Sequence, residues 1–170
     1  MGPPNHEGID RFAWLHRGRT FTPRACAGSV VAKLPARQKV TVLCFRRAQP
    51  DEVLVVAREA KGRPQWGLPS AESDAGESAR AAALRLAADF LRGPVVADLD
   101  LAIKAEYRVA AGPRAGEWTE RFFAVEAAPD CPAPDGQWLP HYEAKAASGA
   151  DTPRVREAFT RLRELARLRP

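Results

Sequence analysis

A loop and helix at residues 66–93 constrain the fold more than any other part of this 170-residue chain. Ser78 is a favoured helix N-cap, because its side-chain oxygen can accept a backbone N–H of the first turn. Gly93 and Pro94 form a stop signal, so the sequence predicts a helix from about Ala79 to Leu91. The apolar positions at helical spacing, which we expect to face a core, are Leu84, Ala88 and Leu91.

This arrangement of loop and helix is typical of sites that cleave pyrophosphate bonds. Such a reaction uses Mg²⁺ or a similar ion to neutralise phosphate charge and to polarise water. Mg²⁺ prefers carboxylate oxygens and water as ligands. A helix can supply the carboxylates when Glu recurs at i, i+3 and i+4, since these positions share one face. The predicted helix carries a single acidic residue, Asp89, so most of the expected metal ligands are missing.

The segment resembles the Nudix family. The family signature is a Gly, five residues, a Glu, seven residues, then Arg-Glu, an aliphatic residue, any residue, Glu-Glu, any residue and a Gly. In this chain Glu77 and Arg85 match the signature, whereas Leu86 stands in place of the next Glu. Asp89 and Phe90 stand in place of the Glu-Glu pair. Because the helix glutamates of Nudix hydrolases hold the metals, the resemblance implies a degenerate box that keeps one shortened carboxylate.

The resemblance extends over about residues 39–168. Several stretches are rich in β-branched and aromatic residues and follow the order of Nudix strands. A turn is expected at residues 49–51, and loops are expected at 112–116 and 130–136. The resemblance therefore implies an α/β protein with the Nudix fold, an α/β/α sandwich with a mixed β-sheet. The stretches expected to form strands are Lys39–Arg46, Glu52–Arg58 and Glu120–Glu126. Gln137–Pro140, followed by a helical end, resembles the usual close of such domains.

Two parts are expected in the chain, a basic N-terminal extension at residues 1–38 and a Nudix-like domain at 39–170. The domain should end in a basic amphipathic helix at about 152–168, with Thr152 as N-cap and Pro153 in the first turn. The polar side of this helix is either a solvated face or a surface that contacts RNA phosphates. Its arginines are Arg154, Arg156, Arg161, Arg163 and Arg167.

Four residues are candidates for a catalytic site. Glu77 either binds metal or is a surface residue near a helix start, and Asp89 is the other metal candidate. Arg85 is expected to form an ion pair with a carboxylate of the preceding loop, Glu72, Asp74 or Glu77. Glu120 resembles the further carboxylate that Nudix enzymes often place near a later strand. If the protein is an active hydrolase, these groups act with Mg²⁺ or Mn²⁺; otherwise no metal or other cofactor is expected.

The sequence leaves three functions open. The run Leu68–Glu72 resembles a subgroup, the Nudix-like protein of the mitochondrial large ribosomal subunit, which implies a structural or binding role beside ribosomal proteins and rRNA. The second function is a divergent hydrolase of nucleoside diphosphates linked to another group. The third is a sensor that binds a nucleotide without cleaving it. The net charge of +5 suits the anionic partner of each function, which is rRNA, a nucleoside diphosphate derivative or a nucleotide.

Cysteine content and hydrophobic patterning suggest the compartment. The three cysteines, Cys26, Cys44 and Cys131, show no metal-ligand spacing, and their odd number argues against a full disulfide framework. A reducing intracellular compartment is expected, mitochondrial if the protein is ribosomal and cytoplasmic otherwise. No apolar run is long enough to span a bilayer, so no membrane association is expected.

Overall fold

A seven-stranded mixed sheet forms the centre of the structure, a computed structural model that describes residues 34–48, 51–60, 63–148 and 152–168. These residues belong to one compact unit, Lys33–Pro170. None of their helices is long and apolar enough to cross a membrane. In chain order the elements are β1 (Ala36–Arg46), β2 (Glu52–Ala60), β3 (Arg63–Gly67), β4 (Ser70–Glu72), α1 (Ala79–Phe90), β5 (Val95–Val109), β6 (Gly116–Ala127), β7 (Gly136–Pro140), α2 (His141–Ala147) and α3 (Pro153–Leu168).

The main path of the sheet runs β3-β2-β1-β6-β5. The central strand β1 is parallel to β6 along its whole length, from Ala36 opposite Glu117 to Arg46 opposite Ala127. All other pairings are antiparallel, and β7 pairs with β2 beside β3. The predicted mixed sheet is therefore confirmed.

The loop that leads to α1 is built into the edge of β1. The strands β1 and β2 pair at Phe45 and Arg46. Over residues 39–41, β1 pairs instead with the short strand β4. The backbone N–H of Val42 then donates to the carbonyl of Pro69 at 2.9 Å. At this end of β1 the antiparallel neighbour is β4, whereas at the other end it is β2. Because β4 is part of the loop, the loop is hydrogen-bonded directly to the sheet.

The two faces of the sheet carry separate cores. Side chains alternate between the faces of a strand, so in β1 Val40, Val42 and Cys44 pack on one side and Leu43 and Phe45 on the other. The first core includes buried residues of α1, and the second includes buried residues of α3. This arrangement confirms the predicted α/β/α sandwich.

The three predicted strands are confirmed within β1, β2 and β6, and Gln137–Pro140, expected only as part of the close of the domain, lies in a further strand, β7. β1 begins at Ala36, so the last three residues assigned to the N-terminal extension form part of a strand, while residues 1–33 lie outside the described part. The stretch Ser70–Glu72, predicted as loop, is the short strand β4. Its residues have little intrinsic strand preference, and pairing with β1 is what holds them extended.

The helix α1 begins as predicted, because the Ser78 side chain accepts the N–H of Ala81 at 3.2 Å. It ends at Phe90, one residue before the predicted end. The expectation that Ala88 faces the core is wrong, since this residue is exposed, whereas Leu91 is buried and Leu84 is half-buried. In so alanine-rich a helix the sequence offers little contrast between faces. The residues that α1 buries are Ala79, Ala82, Ala83, Leu86 and Ala87.

The last helix, α3, follows the prediction closely. The N–H of Arg156 donates to the carbonyl of Thr152 at 3.2 Å, which places Thr152 at the start of the helix. Phe159 and Leu162 are buried in the second core, and Val155 packs against it. The apolar stripe therefore points to the sheet as expected.

Candidate functional site

A forked ion pair between Glu77 and Arg85 holds the loop onto α1. Arg85 Nε donates to Glu77 Oε1 at 3.0 Å, and Nη2 donates to Oε2 at 2.8 Å. The backbone N–H of Asp74 donates to Glu77 Oε2 at 2.9 Å. The Asp74 carboxylate lies 3.7 Å from Arg85 Nη2. The predicted pairing of Arg85 with a loop carboxylate is confirmed, and Glu77 is its main partner.

This fork sets the electrostatics of the loop. The hydrogen bond from Arg85, followed by that from the Asp74 N–H, lowers the pKa of Glu77 to about 2. The same hydrogen bond raises the pKa of Arg85. Both oxygens of Glu77 are used within the protein, so a metal ion would have to compete with a guanidinium for them. In this geometry Glu77 closes the loop onto the helix.

The other positions of α1 that align with the Nudix signature differ in burial. Leu86 is 5% exposed and belongs to the core between α1 and the sheet. Phe90 is half-buried and packs against the same core, while Asp89 is exposed. Among the described residues, no three His, Cys, Asp or Glu side chains are grouped to hold a metal ion. The helix α1 therefore offers one carboxylate, Asp89, and does not fit the set of helix carboxylates that the resemblance implies for metal binding.

Glu120 is not brought to this helix. It lies two residues before Phe122 on β6, so both side chains point to the same face of the sheet, and Phe122 lies in the core on the α3 side. Its Oε1 lies 2.7 Å from Lys39 Nζ and accepts the hydroxyl of Thr41 at 2.5 Å. Because α1 packs on the other side of the sheet, Glu120 is separated from Glu77 and Asp89. The structure thus brings Arg85 to Glu77 but does not converge the three candidate carboxylates.

Glu120 instead lies in a polar cleft at the end of the sheet where β4 joins β1. The cleft has a volume of about 260 Å³. Arg58 borders it and donates from Nη2 to the Ser70 hydroxyl at 3.0 Å. Burial lowers the pKa of Arg58, and the charge of Glu120 opposes that shift, yet a guanidinium remains charged in any protein environment. The side chains that line the cleft are Lys39, Thr41, Arg58, Leu68, Glu120, Phe122, Ser148, Thr152, Arg154 and Val155.

Three cations, Lys39, Arg58 and Arg154, face one carboxylate in this cleft. Lys39 and Arg58 were not predicted as site residues from the sequence, since they lie 19 positions apart on different strands. One signal was available, namely a basic residue beside the apolar run of each strand. The excess positive charge makes the cleft suited to an anion.

The candidate arginines of α3 are all exposed. Arg154 lines the polar cleft, whereas Arg163 and Arg167 line a separate cavity between α2 and α3. Arg161 lies 3.7 Å from Glu164 on the same helix. Arg154 therefore lies apart from Arg163 and Arg167, and it is the one of these five arginines that lines the polar cleft.

No protein-family model matches this sequence, and no curated protein matches it. Several solved structures are similar to the structure of this chain. The Nudix hydrolase RenU of M. smegmatis has a TM-score of 0.54 at 22% identity, over 78% of this chain and 88% of that one. A C. elegans Ap4A hydrolase in a binary complex has a TM-score of 0.59 at 12% identity, over 77% and 98%.

A third neighbour is the Nudix domain of Shewanella oneidensis NrtR, solved in complex with ADP ribose. Its TM-score is 0.55 at 19% identity, over 79% of this chain and 89% of that one. Identities this low establish the fold alone. The mixed sheet with helices packed on both faces agrees with that likeness, and this chain accordingly has the Nudix fold.

Proposed function

We propose that this chain is a non-hydrolytic Nudix-fold protein that binds an anionic ligand. The observation that carries the proposal is how the structure uses the residues that align with the Nudix signature. Leu86 is part of the core and Phe90 packs against it, while Glu77 is held by Arg85. Asp89 is then the one carboxylate of the box outside the Glu77–Arg85 pair, and its charge also acts on Arg85. One such group leaves Mg²⁺ dependent on water and substrate phosphates for nearly all of its ligands, which supports a role without a bound metal.

The catalytic rate that a Nudix hydrolase would lose without its metal ion supports a role without turnover. Each 1.36 kcal/mol of lost transition-state stabilisation slows a reaction about tenfold. A metal ion supplies several kcal/mol by stabilising charge on a phosphoryl oxygen. A protein without that ion loses a large part of the rate of a Nudix hydrolase, but it keeps any groups that bind the substrate.

The binding half of the proposal depends on the polar cleft. Lys39, Arg58 and Arg154 offer charge-assisted hydrogen bonds, and the guanidinium groups can bind phosphate in a fork. The ligand class that fits is a nucleoside diphosphate linked to another group. The complex of the NrtR Nudix domain with ADP ribose supports this choice, since that domain shares the fold.

Calorimetric titration of ADP-ribose into the full chain tests the binding. We expect saturable binding that weakens about 10- to 100-fold in Arg58→Gln, because a hydrogen bond to a charged group contributes about 1.5–3 kcal/mol. Arg92→Gln is the matched control, since Arg92 is exposed beyond the end of α1 and does not line the cleft. Thermal melting of both variants excludes misfolding as the cause.

Turnover is tested on the same preparations with a panel of nucleoside diphosphate derivatives in Mg²⁺ or Mn²⁺. We expect no metal-dependent product. Release of product that is lost in Glu77→Gln would overturn the non-hydrolytic role and establish the alternative, a divergent hydrolase with Glu77, Arg85, Asp89 and Glu120 as its working residues. Absence of both binding and turnover would overturn the ligand-binding role.

The exposed arginines of α3 favour a second candidate function, assembly with ribosomal proteins and rRNA. The run Leu68–Glu72, which resembles that of the mitochondrial ribosomal subgroup, supports it. This function implies a mitochondrial location. Co-sedimentation with the large ribosomal particle that survives a salt wash is the expected result, and loss of the protein from the particle in that wash would contradict it.

A further inference from the structure

A second cavity lies between α2, α3 and the end of the sheet, away from the polar cleft. It has a volume of about 340 Å³ and a mainly apolar lining. Phe45, Val53 and Leu162 form its floor and are each buried in the second core. Tyr142 lies at its edge with 66% of its surface exposed and a side-chain hydrogen bond to Glu143, and Asp51 is the one acidic residue in the lining. An apolar cavity with an exposed ring at its edge can receive a planar aromatic group.

A cationic cavity adjoins the apolar one. Its volume is about 200 Å³, and it shares His141 and Arg163 with the apolar cavity. Lys145 and Arg167 also line it, against one acidic residue, Glu164. The two cavities thus form one continuous surface with an aromatic end and a positively charged end.

The arginines of α3 extend this surface along the helix. Arg156, Arg163 and Arg167 recur at i, i+7 and i+11, a spacing that places them in one row. All three are exposed. Arg161 lies two residues from Arg163, and side chains two apart do not share a face. The row therefore runs beside α2 and leaves Arg161 on the other flank.

We propose that this surface binds single-stranded RNA, with a base stacked on Tyr142 over the apolar cavity and the adjacent phosphates on Arg163, Arg167 and Lys145. The combination of an exposed aromatic ring with a cationic track is what sequence-tolerant binding of single strands requires. The charge of the track excludes a neutral ligand as the preferred occupant. The proposal rests on the RNA-associated candidate function and is independent of the polar cleft.

Fluorescence anisotropy of short labelled single-stranded RNAs with the full chain tests the proposal. We expect binding that weakens as salt rises. Tyr142→Ala should weaken it roughly 5- to 100-fold, whereas Tyr142→Phe, which keeps the ring, should preserve it. Arg163→Gln should lower the salt dependence by about one counterion. The matched control Arg161→Gln, on the other flank of the same helix, should change affinity by less than about twofold.

Three results would overturn the proposal. The first is no RNA binding at low salt. The second is RNA binding that Tyr142→Ala leaves unchanged, which would retain the RNA-associated function but remove it from this surface. The third is preferential binding of an acidic peptide with an aromatic residue, competed for at Tyr142, which would assign the surface to a protein partner.

Discussion

Replacing Leu86 with Glu restores the carboxylate that follows Arg in the Nudix signature, and the structure predicts that the change destabilises the protein without creating a metal site. Leu86 is 5% exposed and packs in the core between α1 and the sheet. A carboxylate at this position must enter apolar surroundings or force the helix away from the sheet.

The expected cost follows from two contributions. Loss of a buried Leu side chain costs about 2–5 kcal/mol, and Glu recovers part of it by filling the space. A buried carboxyl group without a hydrogen-bond partner adds about 1–3 kcal/mol. We expect a total of about 3–5 kcal/mol, below the stability of about 5–15 kcal/mol of an ordinary domain. The melting temperature should then fall by roughly 10 °C.

Urea unfolding with and without Mg²⁺ measures the effect. The control is Ala88→Glu, which adds the same charge at an exposed position of the same helix and should change stability by less than about 0.5 kcal/mol. Two results would refute the reasoning. One is a cost for Leu86→Glu as small as that of the control. The other is recovery of its stability in Mg²⁺, which would mean that the new carboxylate binds the ion.

Three further predictions concern the loop and the second core. The low pKa of Glu77 stabilises the fold above the unfolded value of 4.5, and this contribution is lost as pH falls toward about 2. The stability difference between wild type and Glu77→Gln should therefore shrink across that range in urea unfolding, and a constant difference would contradict the assignment. Gly76→Ala should cost about 1–2 kcal/mol in the same assay, because φ is +79° with open space around the added Cβ; an unchanged midpoint would be inconsistent with that backbone conformation. Phe159→Ala should cost about 3–5 kcal/mol, since this ring is 0% exposed under α3; a loss below about 1 kcal/mol would show that the ring is not packed as described.

The sequence predicted those elements whose signals are local. The N-cap Ser78 and the stop near Gly93 placed α1 to within one residue. The alternating and β-branched runs placed β1, β2 and β6, because a strand that borders a core must carry such residues. The pairing of Arg85 with a loop carboxylate also followed from local spacing, since a loop that precedes a helix can fold back onto it.

Other features depend on tertiary contacts that no local pattern encodes. Glu120 was a plausible partner for Asp89 until the register of β6 placed it on the α3 side of the sheet. Ser70–Glu72 became a strand only through its pairing with β1. Lys39 and Arg58 meet in one cleft because β4 pairs with β1 at Lys39 and also receives a hydrogen bond from Arg58 at Ser70, so their joint role required the assembled sheet.

Divalent metal binding is the most direct test of the central proposal, that the loop and α1 offer too few carboxylates to bind a metal ion. Electron paramagnetic resonance of Mn²⁺ during titration of the pure full chain counts bound ions, because free and protein-bound Mn²⁺ give different signals. The account predicts that wild type and Asp89→Asn leave the same amount of Mn²⁺ free at every concentration. An ion bound by the wild type and released by Asp89→Asn would contradict it.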